Sequence, residues 1–208
     1  MNRSQKVLFV LTSAAVIPVL MVTGVQTVKN VQVTARHAEA VENIVNYLQE
    51  HMPNIPEDQL REIANYVYTE SKERDLDYRL VLAVMKVESN FKQDAVSSKG
   101  ARGLLQIKPS LGRGIAETLG VTWSGDRILH EPDKNIKFGV YQLSQLIEDF
   151  DSLQWALYAY NSGATKAREL AAKHKQPGLR FAKAVLSEYE KTMTVLPEPQ
   201  QANGISRE

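Results

Sequence analysis

From residue 26 onward, apolar residues recur at three- and four-residue spacing and strand-like alternation is almost absent, which predicts an α-helical chain. A first amphipathic helix is expected over about 33–52, with Ala38, Val41, Ile44, Val45 and Leu48 on one side and Pro53 as its stop. Pro56 opens a second helix, followed by Glu57 and Asp58 in the first turn, with Leu60, Ile63, Ala64, Val67 and Tyr68 carrying it to about Lys72. Asp77 has the character of an N-cap for a third helix, through Leu80, Val81, Val84 and Met85 to Glu88. Residues 92–102 look like a loop, with a short helix or turn at Leu104–Ile107 halted near Pro109 and a further helix over Gly114–Leu119. An irregular stretch at 120–134 precedes a long helix from Asn135 to Phe150. Ser152–Tyr160 is the next helix, broken at Asn161-Ser162-Gly163, where glycine can take positive φ. Two more helices are expected at about 164–174 and 179–194, before a polar tail from Pro197 that reads as disordered. No repeat with a period of 20–50 residues stands out.

The N-terminus follows another pattern. Val7 to Val25 is a run of 19 residues without a charge, preceded by Arg3 and Lys6. As a helix it would be about 28 Å long, close to a bilayer core. The flanking cations place the N-terminus in the cytoplasm and send the rest across. A cleaved signal peptide and an uncleaved signal anchor both fit. The length of the run and the lack of a clear A-x-A site lean towards the anchor. In either case the body of the protein works outside the cytoplasm, periplasmic or otherwise extracytoplasmic, either exported or held in the inner membrane. The expected organisation is a signal or anchor at 1–25, a helical linker at 26–54, a helical body at 55–195 and a disordered tail at 196–208.

Composition narrows the functions open to such a chain. Its 208 residues suit one domain with extensions, and 43% hydrophobic with 24% charged residues is an ordinary globular balance. The formal charge of +1 generates no field that would steer the whole molecule onto nucleic acid, so no nucleic-acid partner is expected, although a local patch is compatible with it. With 0 cysteines there is no disulfide, thiolate metal site or thiol nucleophile. The four histidines are scattered, and His130-Glu131 reads as a polar loop before Pro132, not a metal site. Neither a metal nor a cofactor is expected.

Glu88 breaks a local rule. The positions three, four and seven residues before it are Met85, Val84 and Val81, so its carboxyl projects from an apolar helical stripe. Burial, the partly negative helix C-terminus and the lack of a Lys or Arg in the preceding turn on that face all oppose ionisation. A carboxyl kept protonated near neutral pH can act as a general acid; a glutamate turned out to water is the plainer alternative. Tyr160 repeats the pattern behind Leu157, Ala156 and Leu153, where an ordinary core tyrosine is the alternative. Gln106, in the apolar strip Gly103-Leu104-Leu105-Gln106-Ile107, offers an amide donor and acceptor suited to an N-acetyl group, unless it lies in a solvated turn.

The run Leu82-Ala83-Val84-Met85-Lys86-Val87-Glu88-Ser89-Asn90-Phe91 resembles the first motif of the soluble-lytic-transglycosylase (SLT) family, the goose-type-lysozyme-like peptidoglycan enzymes. Asp94-Ala95-Val96-Ser97 with Gly100-Ala101-Arg102-Gly103-Leu104-Leu105-Gln106-Ile107 resembles the second motif, Asn135-Ile136 with Gly139 the third, and Ala159-Tyr160-Asn161-Ser162-Gly163 the fourth. Four motifs in order are far more specific than any one of them. The resemblance spans about Ile55 to Lys191. It implies a mostly α, lysozyme-like catalytic domain acting on peptidoglycan glycan strands between N-acetylmuramic acid and N-acetylglucosamine. Glu88 would match the single catalytic acid/base and Ser89 the residue supporting the site beside it. Gln106, Tyr160 and Asn161 would match residues that orient the saccharide and the carboxyl. Departures are Leu105 where Met is common, Ser162 where Ala is common, Phe181 where Tyr is frequent, and Lys108 and Ser110 in place of a Met-Pro-Thr-like continuation that shapes the groove rim.

Two other readings compete. A water-using hydrolase of the lysozyme type would need a second carboxylate, with Asp94, Asp126 and Asp133 as candidates. An inactive wall-binding or assembly protein would keep the fold without turnover. The small size is also compatible with an enzyme that opens the wall for a secretion or appendage machine.

Overall fold

The structure, a computed structural model, describes residues 31–198. The charge-free run at 7–25 and the tail from residue 199 lie outside the described residues. No helix among the described residues is long and apolar enough to cross a membrane. The chain divides into two units, Met1–Glu39 and Ala40–Glu208. In the first, residues 31–39 are helical and mostly exposed.

The second unit contains eight helices among the described residues: α1 (residues 40–51), α2 (Glu57–Glu73), α3 (Tyr78–Ser89), α4 (Pro109–Thr118), α5 (Pro132–Asp149), α6 (Leu153–Ser162), α7 (Ala164–Ala172) and α8 (Arg180–Val195). Strand-like pairing among them is limited to the isolated bridges Val96–Arg102 and Arg102–Ile107. α3 is the central element: all residues from Tyr78 to Met85 are buried, and it packs chiefly on α8 and also on α2. α5 lies between α2 and α6.

The segment at 26–54, expected to be a linker, reaches into the body. Val41, Ile44, Val45 and Leu48 of α1 share one apolar core with Leu60, Val81, Leu104 and Val185, so the compact unit starts near Ala40 instead of residue 55. The stripe that marked α1 as amphipathic is the face that enters this core. At the other end Leu196 is buried and the Tyr78 hydroxyl donates to the Pro197 carbonyl at 2.6 Å, so the ordered body extends past residue 195.

Other differences from the sequence pattern have local causes. Pro109 begins α4 instead of halting a turn, because its fixed φ and missing N–H suit the first helical position. The helix runs on through Gly112, which lets Trp123 and Leu129 approach to within 3.1 Å of where its Cβ would be. Pro132 starts α5 in the same way, three residues before Asn135, and the stretch before it holds a 3₁₀ helix, Asp126–His130. Asn161 and Ser162 belong to α6, which ends at Gly163 with φ 93°.

Asp77 anchors the helix that carries Glu88. Its carboxylate accepts from the Arg79 backbone N–H at 2.8 Å as an N-cap, pairs with the Arg79 guanidinium at 2.7 Å, and accepts from the Tyr189 hydroxyl on α8 at 2.7 Å. The Thr192 hydroxyl of α8 donates to the Arg79 carbonyl at 3.2 Å. Start and flank of α3 are thus tied to α8, which fixes where its far end points.

Candidate active-site cleft

Glu88 sits in the last turn of α3, and the chain leaves that helix sharply: Asn90 (φ 52°) and Phe91 (φ 61°) are both left-handed. Val81, Val84 and Met85, the side chains expected to share its face, are fully buried. Glu88 itself is half-buried, and this burial pushes its carboxyl up to about 7. Desolvation disfavours the charged form, and it is the cause of the shift.

The segment opposite Glu88 is the turn at residues 103–107, held in an unusual backbone by buried polar contacts. Gly103 has φ 76° and Gln106, not a glycine, has φ 49°. Asn135 on α5 holds this turn from below: its Oδ1 accepts from Leu105 N at 2.8 Å, and its Nδ2 donates to the carbonyls of Arg102 at 2.9 Å and Leu129 at 2.7 Å. One helical turn further on, Gly139 leaves room for Leu105, whose Cδ1 lies 2.4 Å from where a Cβ would stand. This explains the Asn135-x-x-x-Gly139 spacing: residues four apart share a helix face, one gripping the loop and the other admitting its side chain.

Two further hydroxyls clamp the same turn. Ser89 Oγ donates to the carbonyls of Leu104 at 2.8 Å and Met85 at 3.1 Å, and Tyr160 Oη donates to the Leu105 carbonyl at 2.8 Å. Gln106 directs its amide N–H groups to the carbonyls of Ala95 at 3.2 Å and Gly103 at 2.9 Å. These two bonds use its amide nitrogen and not its amide oxygen. The Tyr160 ring stacks parallel to Phe181 of α8, with centroids 6.5 Å apart and planes at 4°, so the aromatic surface without a hydroxyl at 181 serves as packing. Burial first, and then the negative charge of Glu88, push the Tyr160 phenol well above its ordinary range. It therefore stays a neutral donor near Glu88.

These elements enclose a cleft of about 560 Å³, lined by Glu88, Gln106, Tyr160 and Asn161 among others. Four of the five residues singled out in the sequence thus meet at one cavity. Ser89 does not line it: it is buried, with its hydroxyl on the loop carbonyls, and so braces the wall. Asn135 and Gly139 had been recognisable only as a motif, and their spacing was the signal for the grip described above. Among the described residues that line the cleft, Glu88 is the sole carboxylate. Asp94, Asp126 and Asp133 line other surface; Asp126 lies 3.9 Å from Arg102 and Asp133 pairs with Lys134. His130 is engaged by Arg102 and Gln93, and no cluster of metal-ligating side chains occurs among the described residues.

A helical body in which one half-buried carboxyl and a clamped loop line the same cleft is the fold and site that these residues build. The family model described as "Transglycosylase SLT domain" matches residues 65–180, more than half of the chain, and the protein belongs to that family. Among its curated relatives, Membrane-bound lytic murein transglycosylase C of Haemophilus ducreyi is 38% identical over 104 residues, covering 45% of this chain and 28% of that protein. The Transglycosylase of Enterobacteria phage PRD1 is 32% identical over 108 residues, covering 52% of this chain and 37% of that one. The chain therefore spans roughly a third of the length of these relatives. Among solved structures, an inactive mutant of the lytic transglycosylase Slt from Pseudomonas aeruginosa aligns with TM-score 0.55 at 25% identity, covering 63% of this chain and 24% of that one. The 70 kDa soluble lytic transglycosylase of Escherichia coli aligns with TM-score 0.51 at 18% identity, covering 76% and 28%, a likeness of fold.

Proposed function

We propose that the protein is a peptidoglycan lytic transglycosylase in which Glu88 is the catalytic acid and base. The observation that carries the reading is the solitary carboxyl in the cleft, raised by burial to about 7. Most glycosidases need two carboxylates flanking the scissile bond. One suffices when the substrate supplies the other parts itself. Glu88 protonates the glycosidic oxygen between N-acetylmuramic acid and N-acetylglucosamine as the bond from the anomeric carbon breaks, and the substrate's own N-acetyl group stabilises the positive charge that develops there. The Glu88 carboxylate then takes the proton of the carbon-6 hydroxyl on the same muramic acid. That oxygen bonds to the anomeric carbon, and Glu88 is protonated again. No water is consumed, and the intramolecular attack benefits from a high effective concentration.

Gln106 and Asn161 orient the saccharide, Tyr160 keeps a neutral phenol near the carboxyl and fixes the loop, and Ser89 braces the wall behind it. This assignment is supported by the convergence of these side chains at one cleft. The substrate class is supported by the names of the relatives, and the word "membrane-bound" in one of them agrees with the charge-free run at 7–25 acting as an anchor ahead of an extracytoplasmic catalytic body.

The test is mass spectrometry of muropeptides released from purified cell walls. The expected products end in 1,6-anhydro-N-acetylmuramic acid. Reducing muramic acid ends, each heavier by one water, would reject the mechanism in favour of a hydrolase.

A further inference from the structure

A second cavity, of about 510 Å³, shares no lining residue with the Glu88 cleft. It lies between α1 and α8. Asn43, Asn46, Tyr47 and Glu50 fall three and four residues apart on one face of α1, and Glu188 and Lys191 belong to the opposing face of α8. The volume falls in the range of about 300–1,000 Å³ over which small-molecule sites occur. Its wall is preformed. His51 Nδ1 donates to the Tyr47 carbonyl at 2.8 Å, and the Tyr47 and His51 rings both pack on Phe91, with centroids 6.0 and 5.2 Å away. What this wall lacks is a partner for its phenol. Tyr47 is 8% exposed, and its hydroxyl is buried without a hydrogen bond among the described residues. Such a group costs stability until something pairs with it. Burial first, and then the charges of Glu188 and Glu50, push it up to about 12, so it stays a donor at physiological pH. Those two carboxylates line the same cavity, which puts the hydroxyl on the cavity's side of the ring.

An occupant has to accept from the phenol and donate to the carboxylates within one small space. A cation does only the second, and the Lys191 ammonium already takes Glu188 at 2.9 Å. A sugar does both. Each of its hydroxyls accepts and donates, and an N-acetyl group adds a carbonyl for the phenol or for the side-chain amides of Asn43 and Asn46. We infer that the cavity between α1 and α8 is a second, non-catalytic saccharide site that takes N-acetylated sugar units, with Tyr47, Asn43, Asn46 and Glu50 as its hydrogen-bonding groups. That these units belong to the wall glycan rests on the transglycosylase reading, whereas the site itself rests on the cavity and its orphan phenol. A glycan held there keeps the enzyme on the polymer while the cleft releases its product.

The test is a titration of the full chain with N,N′-diacetylchitobiose, in a detergent without a sugar headgroup, read by NMR of the side-chain amides after selective nitrogen-15 labelling of asparagine. The Asn43 and Asn46 signals are expected to shift and saturate, as that of Asn161 does in the cleft. Thr194→Trp, which fills the cavity from an exposed position on α8, should abolish the response at Asn43 and Asn46 and leave that of Asn161 in place. Tyr47→Phe should weaken the sugar's binding at Asn43 about two- to tenfold, the worth of one hydrogen bond. Its urea midpoint should stay equal or rise, because in the free protein the hydroxyl has no partner to lose. A phenol that only packs would leave the sugar affinity unchanged. A response confined to Asn161, an unchanged affinity in Tyr47→Phe, or shifts at Asn43 with lysyl-lysine and not with the sugar overturns the assignment. Walls digested by wild type without anhydro ends refute the transglycosylase reading instead, a separate outcome that the sugar titration does not share.

Discussion

Replacing Glu88 by Gln should abolish wall cleavage while leaving the fold intact and, above neutral pH, firmer. The amide keeps the size and most of the contacts of the carboxyl but cannot donate its proton to the glycosidic oxygen. The rate of anhydro-end formation should fall by at least about 10²-fold, the lower end for removal of a general acid. The stability change separates chemistry from misfolding. A carboxyl whose folded value is raised to about 7 from 4.5 binds more protons in the folded than in the unfolded chain between those values. Its presence therefore costs nothing below about pH 4.5 and becomes destabilising as pH rises to 7, with a constant penalty beyond. Glu88→Gln removes that penalty. At pH 8 the variant should be more stable than wild type by on the order of 1–3 kcal/mol, after allowing for the part of the carboxyl that meets water, and at pH 4.5 the two should coincide. Urea unfolding at both pH values, beside muropeptide analysis, checks both halves. An inactive variant that is also less stable at pH 8 would indicate a structural defect and not the loss of a proton donor.

The second large effect is expected at Gly103. An alanine there would have to keep φ 76°, and its Cβ would stand 2.2 Å from the Leu129 carbonyl oxygen and 2.3 Å from Asn135 Nδ2. A backbone oxygen cannot swing aside as a flexible side chain can, so the loop itself must move. Overpacking and left-handed strain together should cost about 2–4 kcal/mol. The displaced turn also takes Gln106 and the Leu105 carbonyl with it, so activity should fall further than stability does. Gly100→Ala is the matched control: Gly100 has φ 78° but nothing within 4 Å of a Cβ, and its substitution should cost only about 1 kcal/mol of strain. Equal losses at the two positions, measured by denaturant midpoint, would mean that close packing at Gly103 is not what demands glycine.

The parts of this architecture that were legible in the sequence share a physical basis. Glu88 and Tyr160 were visible because a helix places residues three, four and seven apart on one face, so a polar group after an apolar stripe stands out without any tertiary knowledge. Asp77 was visible as a cap because its chemistry is local. Pro109 was misread because proline both stops and starts helices, and which it does depends on the side from which the helix approaches. The role of Asn135 was invisible because two of its partners, Arg102 and Leu105, lie 33 and 30 residues away on irregular chain, and the third, Leu129, lies in the 3₁₀ helix before α5. The extent of the body was underestimated because a helical stripe shows that α1 has something to bury but not against what.

Everything rests on a carboxyl that keeps its proton where other glutamates have lost theirs. Carbon-13 NMR of the glutamate side-chain carboxyls, with Glu88 assigned by its disappearance in Glu88→Gln, follows that proton directly as pH is raised from 4 to 9. The account predicts a midpoint near 7 for Glu88, matched by a fall in the rate of anhydro-end formation over the same interval, since the acid form starts the reaction. A midpoint at the ordinary carboxylate value of 4.5, with cleavage undiminished through pH 8, would contradict it.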